Sequence, residues 1–261
     1  MTVSYFFKMF IKAVGFRNKY RFFKYGLRNT LNKFVGYTYH KEDMFIQFKE
    51  LSVYFAPLKS ELSSYIEIYL NRSYEIEKDF IAKENDIVFD VGANIGFYTV
   101  LQGMRAKRGE VFSFEPNPDA FCRLTKNIKI NNLNNVKLFN KALWRKEGRL
   151  FLKELNVSTT SSKCFPLPSD GLREVQSTTL DNVLEKYGIS RIDIMKIDVE
   201  GSEVEVIRGG MKALDYTRKI VMECHAESLK EEVERLLSSK GFKKVREVKR
   251  DKNLFLLFFK K

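Results

Sequence analysis

The sequence has few of the residues that build disulfides and zinc sites, and it has no long apolar segment. Its 261 residues include three cysteines and two histidines, and no two cysteines form a C-x-x-C pair. A disulfide framework and a structural zinc site are therefore not expected, and we assign no metal ligands. No apolar run approaches the roughly 18 residues that a transmembrane helix needs. The small number of cysteines and the lack of a long apolar segment favour a location in the cytoplasm, where thiols stay reduced.

Acidic residues are missing from positions 1–41, where nine lysines and arginines are interleaved with phenylalanine and tyrosine. Most of the net charge of +13 therefore belongs to this segment. A basic helix with an aromatic face is typical of peripheral contact with an anionic membrane, here the inner membrane face. Packing on the rest of the chain and RNA binding are the alternative interpretations. We predict a basic, aromatic-rich helical extension over residues 1–57; the oligomeric state is not indicated.

Beyond residue 58 the sequence predicts a doubly wound α/β sheet. Two helical stretches, 58–70 and 74–81, come first, and short apolar strands then alternate with helices, which predicts a parallel sheet covered on both faces. A strand pair over 148–179 is inserted, and a C-terminal antiparallel hairpin completes seven strands. The predicted parallel strands are 87–91, 111–115, 136–140, 192–197 and 219–223. The predicted helices are 96–106, 119–131, 180–187, 203–214 and 228–239.

The first predicted strand leads into a turn with two glycines, in the segment VFDVGANIG. Gly92 would let the backbone approach a ligand, since it has no Cβ, and Gly96 would let the helix pack close to the strand. The spacing G-x-x-x-G is not the G-x-G-x-x-G of dinucleotide-binding folds. Glu115 ends the next strand, where α/β nucleotide binders place a carboxylate that accepts hydrogen bonds from ribose hydroxyls. Asn140, after the third strand, is either an adenine-side neighbour or a turn residue.

Four segments together resemble the FkbM-type methyltransferases: VFDVGANIGFYTV, FSFEPNPDAFCRLTKNI, TTLDNVLEKYG and IDIMKIDVEGSEVEVIRGG. They cover roughly residues 74–227, in that family's order. The resemblance implies a class I, Rossmann-like S-adenosylmethionine-dependent methyltransferase domain over residues 58–261, methylating a hydroxyl of a sugar, glycolipid or polyketide. The positions that it implies for cofactor binding are Asp90, Gly92, Ala93, Asn94, Gly96 and Glu115. Its strand-end signature falls on Lys196, Asp198, Glu200 and Gly201.

The charged residues after the fourth strand are the candidates for catalysis. An alcohol is a poor nucleophile until its proton leaves, so a general base speeds its methylation by about 10²–10⁴-fold. Asp198 is the first candidate for this base, Glu200 the second, and His225 after the fifth strand a third. Lys196 is expected to orient Asp198 or to lower the pKa of the acceptor, unless its ammonium group only reaches solvent. A divalent metal such as Mg²⁺ between Asp198 and Glu223 is possible but not required by the sequence.

Two other functions compete with this interpretation. An RNA methyltransferase would explain the net positive charge, but carboxylates at the strand ends would repel phosphates, so nucleic acid is not the favoured partner. A non-catalytic cofactor-binding module at a membrane would need no polar cluster around Asp198. We expect a small-molecule, glycan or lipid-linked acceptor. Residues 148–179 would cover it, with Ser158–Ser162 bonding a polyol, unless they form an ordinary loop.

Overall fold

The computed structural model describes residues 15, 19–20, 44–47, 52–55, 59–154 and 162–261. Nearly all of the basic segment, residues 1–41, and with it the predicted membrane contact, lies outside these residues. Of the serine- and threonine-rich stretch predicted to bond a polyol, only Ser162 is described. Within the described part of the chain, no helix combines the length and the apolar character that crossing a bilayer requires.

Within the predicted helical extension, Lys19 and Tyr20 are helical, but segments 44–47 and 52–55 are strands. β1 (Met44–Gln47) and β2 (Ser52–Phe55) pair antiparallel, so the helical prediction is wrong for these eight residues. Their aromatic and β-branched side chains favour a strand. The amide of Asn131 donates to the backbone oxygen of Ser52 (2.6 Å) and accepts from its backbone nitrogen (2.9 Å). The hairpin is thereby tied to the following domain.

Helix α1 (Lys59–Tyr65) continues into a π-helical turn, Ile66–Leu70, as predicted for residues 58–70. The helix predicted over 74–81 is wrong. The chain makes two short 3-10 turns there, Ser73–Glu75 and Lys78–Phe80, and buries Tyr74 and Phe80 against the sheet. Packing of these two rings, six positions apart, decides the local conformation instead of helical periodicity.

The central sheet has seven strands, and the predicted α/β fold is confirmed. From residue 87 the elements, in chain order, are β3 (Ile87–Val91), α2 (Phe97–Arg105), β4 (Glu110–Phe114), α3 (Pro118–Ile130), β5 (Val136–Phe139), β6 (Ala142–Leu143), β7 (Gly148–Glu154), β8 (Ser162–Phe165), β9 (Arg173–Thr178), α4 (Leu180–Tyr187), β10 (Ile194–Ile197), α5 (Glu203–Arg208), β11 (Lys219–Cys224), α6 (Glu227–Ser239), β12 (Lys243–Asp251) and β13 (Leu254–Lys260). The order across the sheet is β12-β13-β11-β10-β3-β4-β5. β13 runs antiparallel to β11 and β12, which confirms the terminal hairpin.

The helix predicted over 203–214 is shorter in the structure. It ends at Arg208, and a 3-10 turn, Ala213–Tyr216, follows. Gly209 and Gly210 lie between them at a close approach of two chains. A Cβ atom on Gly209 would lie 2.0 Å from the backbone oxygen of Trp144. This contact needs glycine, and glycine weakens a helix.

The predicted strand pair over 148–179 is part of a separate four-stranded sheet, of order β6-β9-β7-β8. β7 pairs antiparallel with both β8 and β9, while the two-residue strand β6 runs parallel to β9. Leu150, Leu152, Cys164 and Val175 from this sheet form a small core with Trp144. This sheet brings Ser162 and Cys164 to the carboxyl ends of the central strands.

Candidate active site

A cavity lies where the carboxyl ends of β3, β4 and β10 meet the four-stranded sheet. It encloses about 610 Å³, counted with its mouth open to solvent. Open α/β sheets bind ligands at this edge, next to the point where the strand order reverses. Its wall includes Gly92, Asn94, Glu115, Cys164, Asp198 and Ser202.

The turn after β3 takes left-handed backbone conformations at Gly92 (φ 79°), Asn94 (φ 52°) and Gly96 (φ 92°). A Cβ atom on Gly92 would lie 1.8 Å from the backbone oxygen of Asp198. Gly92 therefore permits close approach of β10's end, in addition to any approach of a ligand. A Cβ atom on Gly96 would lie 2.4 Å from Cδ1 of Leu124, so its close neighbour is helix α3 and not the strand.

Glu115 follows β4 and forms one end of the cavity. Its two carboxylate oxygens accept hydrogen bonds from the backbone N–H of Asn94 (2.7 Å) and of Asn117 (2.8 Å). Only 6% of the residue is exposed. Burial raises the pKa of Glu115 to about 7, although the two backbone hydrogen bonds oppose this. The carboxylate is held in place by the backbone and still has lone pairs for a ligand.

Four of the residues predicted to bind the cofactor, Asn140 among them, are not in the cavity wall. Asp90 is buried below the turn, where its carboxylate accepts from the hydroxyl of Thr99 at 2.6 Å. The amide of Asn140 donates to the backbone oxygen of Glu115 (2.8 Å) and so supports the strand end. Ala93 and Gly96 form the turn itself. The structure therefore brings Gly92, Asn94 and Glu115 together in the wall and places the others behind them.

Lys196 lies beneath the turn, with only 3% of the residue exposed, so its ammonium group does not reach solvent. Its Nζ donates to the backbone oxygen of Gly92 at 2.7 Å and lies 3.1 Å from Oδ1 of Asp90. It also lies 3.7 Å from Oδ2 of Asp198. Burial lowers the pKa of Lys196, but the carboxylates of Asp90 and Asp198 raise it by more. The lysine therefore stays charged and links the glycine turn to Asp198.

Asp198 also contacts a tyrosine that the sequence did not suggest. The hydroxyl of Tyr74 lies 3.1 Å from Oδ2 of Asp198 and 3.3 Å from Oε1 of Glu223. Burial, and then the charge of Glu200, raise the pKa of Asp198, while Lys196 lowers it. Burial and the charge of Asp198 raise the pKa of Glu223 to about 8. Two carboxyl groups thus share one phenol in a region that favours their protonated forms.

His225 faces two glutamates just beyond β11. Its Nε2 lies 3.2 Å from Oε2 of Glu200, and its Nδ1 lies 2.7 Å from Oε1 of Glu203. Burial lowers the pKa of His225, but these two contacts raise it by more, to about 11. In this arrangement the ring is an imidazolium at neutral pH and donates from both nitrogens.

Three side chains of this region offer ligand atoms to a metal ion. One atom each from Asp198, Glu200 and His225 lies within 4.8 Å of the other two. Glu223, which the sequence analysis pairs with Asp198 as a metal ligand, is not in this group. Its carboxylate contacts the hydroxyl of Tyr74 and the guanidinium of Arg250 (2.5 Å) instead.

Unpartnered polar atoms in the cavity wall indicate that it binds a ligand. Oδ1 of Asn94, Nε1 of Trp144 and Oγ of Ser202 are buried and have no hydrogen-bond partner among the residues that the structure describes. A buried polar atom without a partner is costly, so a polar ligand that supplies partners is favoured. Sequence reasoning did not select Trp144 or Ser202. Only the second lies in a segment already singled out, IDVEGSE.

The family comparison decides what class of enzyme this is. Residues 90–244 match the model of the methyltransferase FkbM domain. The chain belongs to this family. It is an S-adenosylmethionine-dependent methyltransferase, so the alternative of a non-catalytic module is set aside. The carboxylate of Glu115, the close turn at Gly92 and the unpartnered polar atoms fit a ligand with ribose hydroxyls and a charged amino-acid portion.

Two relatives and one solved structure extend this comparison. The hexuronic acid methyltransferase AglP of Haloferax volcanii is 29% identical over 70% of this chain and 80% of its own length. The 2-O-methyltransferase NoeI of Sinorhizobium fredii is 28% identical over 58% of this chain and 68% of its own. A Clostridium thermocellum crystal structure, described as an rRNA methylase, has a TM-score of 0.50 at 16% identity, covering 73% of this chain and 94% of that one. At this identity the last similarity concerns the fold alone.

Proposed function

We propose that this enzyme transfers a methyl group to a hydroxyl of a sugar, glycolipid or related small molecule. The observation that carries the proposal is the position of Asp198, a partly buried carboxylate in the cavity wall against the glycine turn at Gly92. A hydroxyl acceptor needs a base, whereas a sulfur acceptor would not need a cluster of carboxylates. The relatives named for a hexuronic acid and for 2-O-methylation support an oxygen-rich acceptor.

The cofactor would lie along the cavity between Glu115 and Asp198. Glu115 would accept hydrogen bonds from the ribose hydroxyls, because the backbone N–H groups of Asn94 and Asn117 hold its carboxylate in place. Gly92 would let the backbone turn closely around the ligand. When bound, S-adenosylmethionine supplies an electrophilic methyl group on a sulfonium centre, and neighbouring carboxylates favour that positive charge.

Asp198 would take the proton of the acceptor hydroxyl. Lys196 and Tyr74 hold one of its oxygens, Oδ2, so its orientation is fixed before an acceptor binds. Burial raises its pKa toward the range where a carboxylate accepts a proton effectively at neutral pH. Glu200 is the second candidate. His225 would orient Glu200 and Glu203 rather than act as the base, because its pKa of about 11 keeps it protonated.

The carboxylates in this region also argue against a nucleic-acid acceptor. Asp198 and Glu200 follow β10 and line the cavity, and their charges would repel phosphate groups at its mouth.

Membrane contact through residues 1–41 is a separate proposal, based on their nine basic residues. Sedimentation with anionic vesicles, comparing the whole chain with one starting near Glu42, tests it; equal sedimentation would reject it.

The substrate proposal is tested with S-adenosylmethionine labelled in its methyl group. We would offer the enzyme hexuronic acids, neutral sugars, glycolipids and RNA, and locate the methyl carbon in any product by NMR. We expect label on a sugar oxygen with the wild-type enzyme and a strongly reduced amount with Asp198→Asn. Label found on RNA, or on nitrogen or sulfur of a small molecule, would overturn the proposal.

A further inference from the structure

The ring of His225 is oriented as metal-binding histidines are. Its Nδ1 contacts Oε1 of Glu203, a side chain with no exposed surface, and the same oxygen accepts from the backbone N–H of Gly201 at 2.9 Å. A histidine that ligates a metal usually donates its other ring N–H to such a carboxylate. The remaining nitrogen, Nε2, faces Glu200.

The spacing of the ligand atoms also fits a cation. Two ligands bound at about 2.1–2.2 Å and at right angles lie roughly 3.0–3.1 Å apart. Nε2 of His225 and Oε2 of Glu200 are 3.2 Å apart, and a ligand oxygen of Asp198 completes a group within 4.8 Å. Tyr74 and Lys196 both contact Oδ2 of Asp198, so Oδ1 is the oxygen left for a further ligand.

A separate observation indicates that this part of the cavity binds a ligand. Ser202, in the same loop, is 5% exposed and lines the cavity with Asp198 and Glu200, and its Oγ has no hydrogen-bond partner in the described part of the chain. A metal-bound water or an acceptor oxygen would supply that partner. A polar ligand in the cavity beside Asp198 and Glu200 would therefore complete the hydrogen bonding of Ser202.

We propose that Asp198, Glu200 and Nε2 of His225 together bind one divalent cation that holds oxygens of the acceptor. An imidazole nitrogen beside two carboxylates suits Mn²⁺ better than Ca²⁺, with Mg²⁺ bound more weakly. Nε2 releases its proton to solvent as the metal–nitrogen bond forms. Octahedral coordination leaves three positions for water or for neighbouring hydroxyls. The inference rests on the proposed function only for the acceptor's identity.

The test is Mn²⁺ binding, measured by calorimetry and by electron paramagnetic resonance on the whole chain after treatment with a chelator. We expect one site, weakened at least about tenfold in Glu200→Gln and in His225→Gln. Glu203→Gln, which would lose the orientation of the ring, should weaken it about 10–100-fold. Melting curves and S-adenosylmethionine affinity show whether each variant is folded.

Glu205→Gln is the matched control. Glu205 is two residues from Glu203 on the same helix, but it pairs with Arg145 (2.9 Å) and Arg208 (3.7 Å) instead of the cluster. The Glu205→Gln substitution removes one negative charge, as Glu203→Gln does, and should leave Mn²⁺ affinity unchanged. No binding below about 1 mM, or equal affinity in Glu200→Gln and Glu205→Gln, overturns the metal site. If the metal site is rejected but sugar methylation persists in the presence of chelator, the proposed function still holds. If Mn²⁺ binds but no sugar is methylated, only the proposed function is rejected.

Discussion

The two ends of the cavity hold their carboxylates in different ways. At the end of β4, both oxygens of Glu115 accept from backbone N–H groups. At the end of β10, Asp198 is contacted by the side chains of Lys196 and Tyr74. Backbone donors are fixed by the turn, so the first arrangement suits recognition of an unchanging cofactor. Side-chain partners carry charge and exchangeable protons, so the second suits a group that gains and loses a proton.

The largest effect is expected from Asp198→Asn, at the end of the cavity where side chains hold the carboxylate. Turnover should fall by at least about 100-fold, because a base contributes about 10²–10⁴-fold, while S-adenosylmethionine affinity stays within a few-fold. Steady-state kinetics and calorimetry measure the two quantities separately. If turnover is unchanged, the proton goes to Glu200 instead, and the comparison between the two ends fails.

Glu115→Ala tests the end of the cavity where backbone N–H groups hold the carboxylate. Affinity for S-adenosylmethionine should weaken by about 1–3 kcal/mol, since ribose hydroxyls would lose their acceptor. Calorimetry of the variant and the wild type gives the difference. Asp198→Asn is the control, because it changes another carboxylate of the cavity wall without touching Glu115. Equal losses of cofactor affinity in both variants would mean that the ends are not functionally distinct.

The pH dependence of cofactor affinity sharpens the same point. The pKa of Glu115 is about 7, and the ionised form accepts hydrogen bonds with both oxygens. Affinity should therefore rise with pH, by at most about tenfold between pH 6 and pH 8, as the carboxylate loses its proton. Titrations at several pH values measure this, with Trp144, the one tryptophan of the chain, as a fluorescent reporter in the cavity wall. In Glu115→Gln the affinity should not depend on pH. A pH-independent affinity in the wild type would contradict the prediction.

The smallest effect is expected from Tyr74→Phe. It removes the hydroxyl between Asp198 and Glu223 and should lower turnover about 2–10-fold, the value of one such hydrogen bond, with cofactor affinity unchanged. Tyr98→Phe is the matched control. The rings of Tyr74 and Tyr98 meet edge to face at 5.6 Å, both are buried, and the hydroxyl of Tyr98 has no hydrogen-bond partner among the described residues. If the two variants behave alike, the contact with Asp198 contributes nothing to turnover.

Local sequence patterns were sufficient for the central sheet and for part of the site. Strand 87–91, the following glycine turn and Glu115 lie where predicted, because a buried strand has a continuous apolar sequence and a tight turn needs glycine. Asp198 follows its strand in the same way. The helix predicted over 74–81 was wrong because the packing of Tyr74 and Phe80 outweighed local preference. The helical prediction was also wrong at 44–47 and 52–55, where aromatic and β-branched residues favour the observed strand pairing.

The partners of these carboxylates were decided by the tertiary structure alone. Tyr74 precedes Asp198 by 124 positions, and Glu203 precedes His225 by 22. Periodicity and turn residues describe near neighbours along the chain and do not specify which distant side chains meet. The sequence by itself therefore determined the strands, the turn and the carboxylates at the sheet edge. Which groups hold these side chains was decided by packing against that edge, of the 3-10 turn that contains Tyr74 and of helix α5, which contains Glu203. A buried polar group needs a hydrogen-bond partner, and the fold determines which one lies beside it.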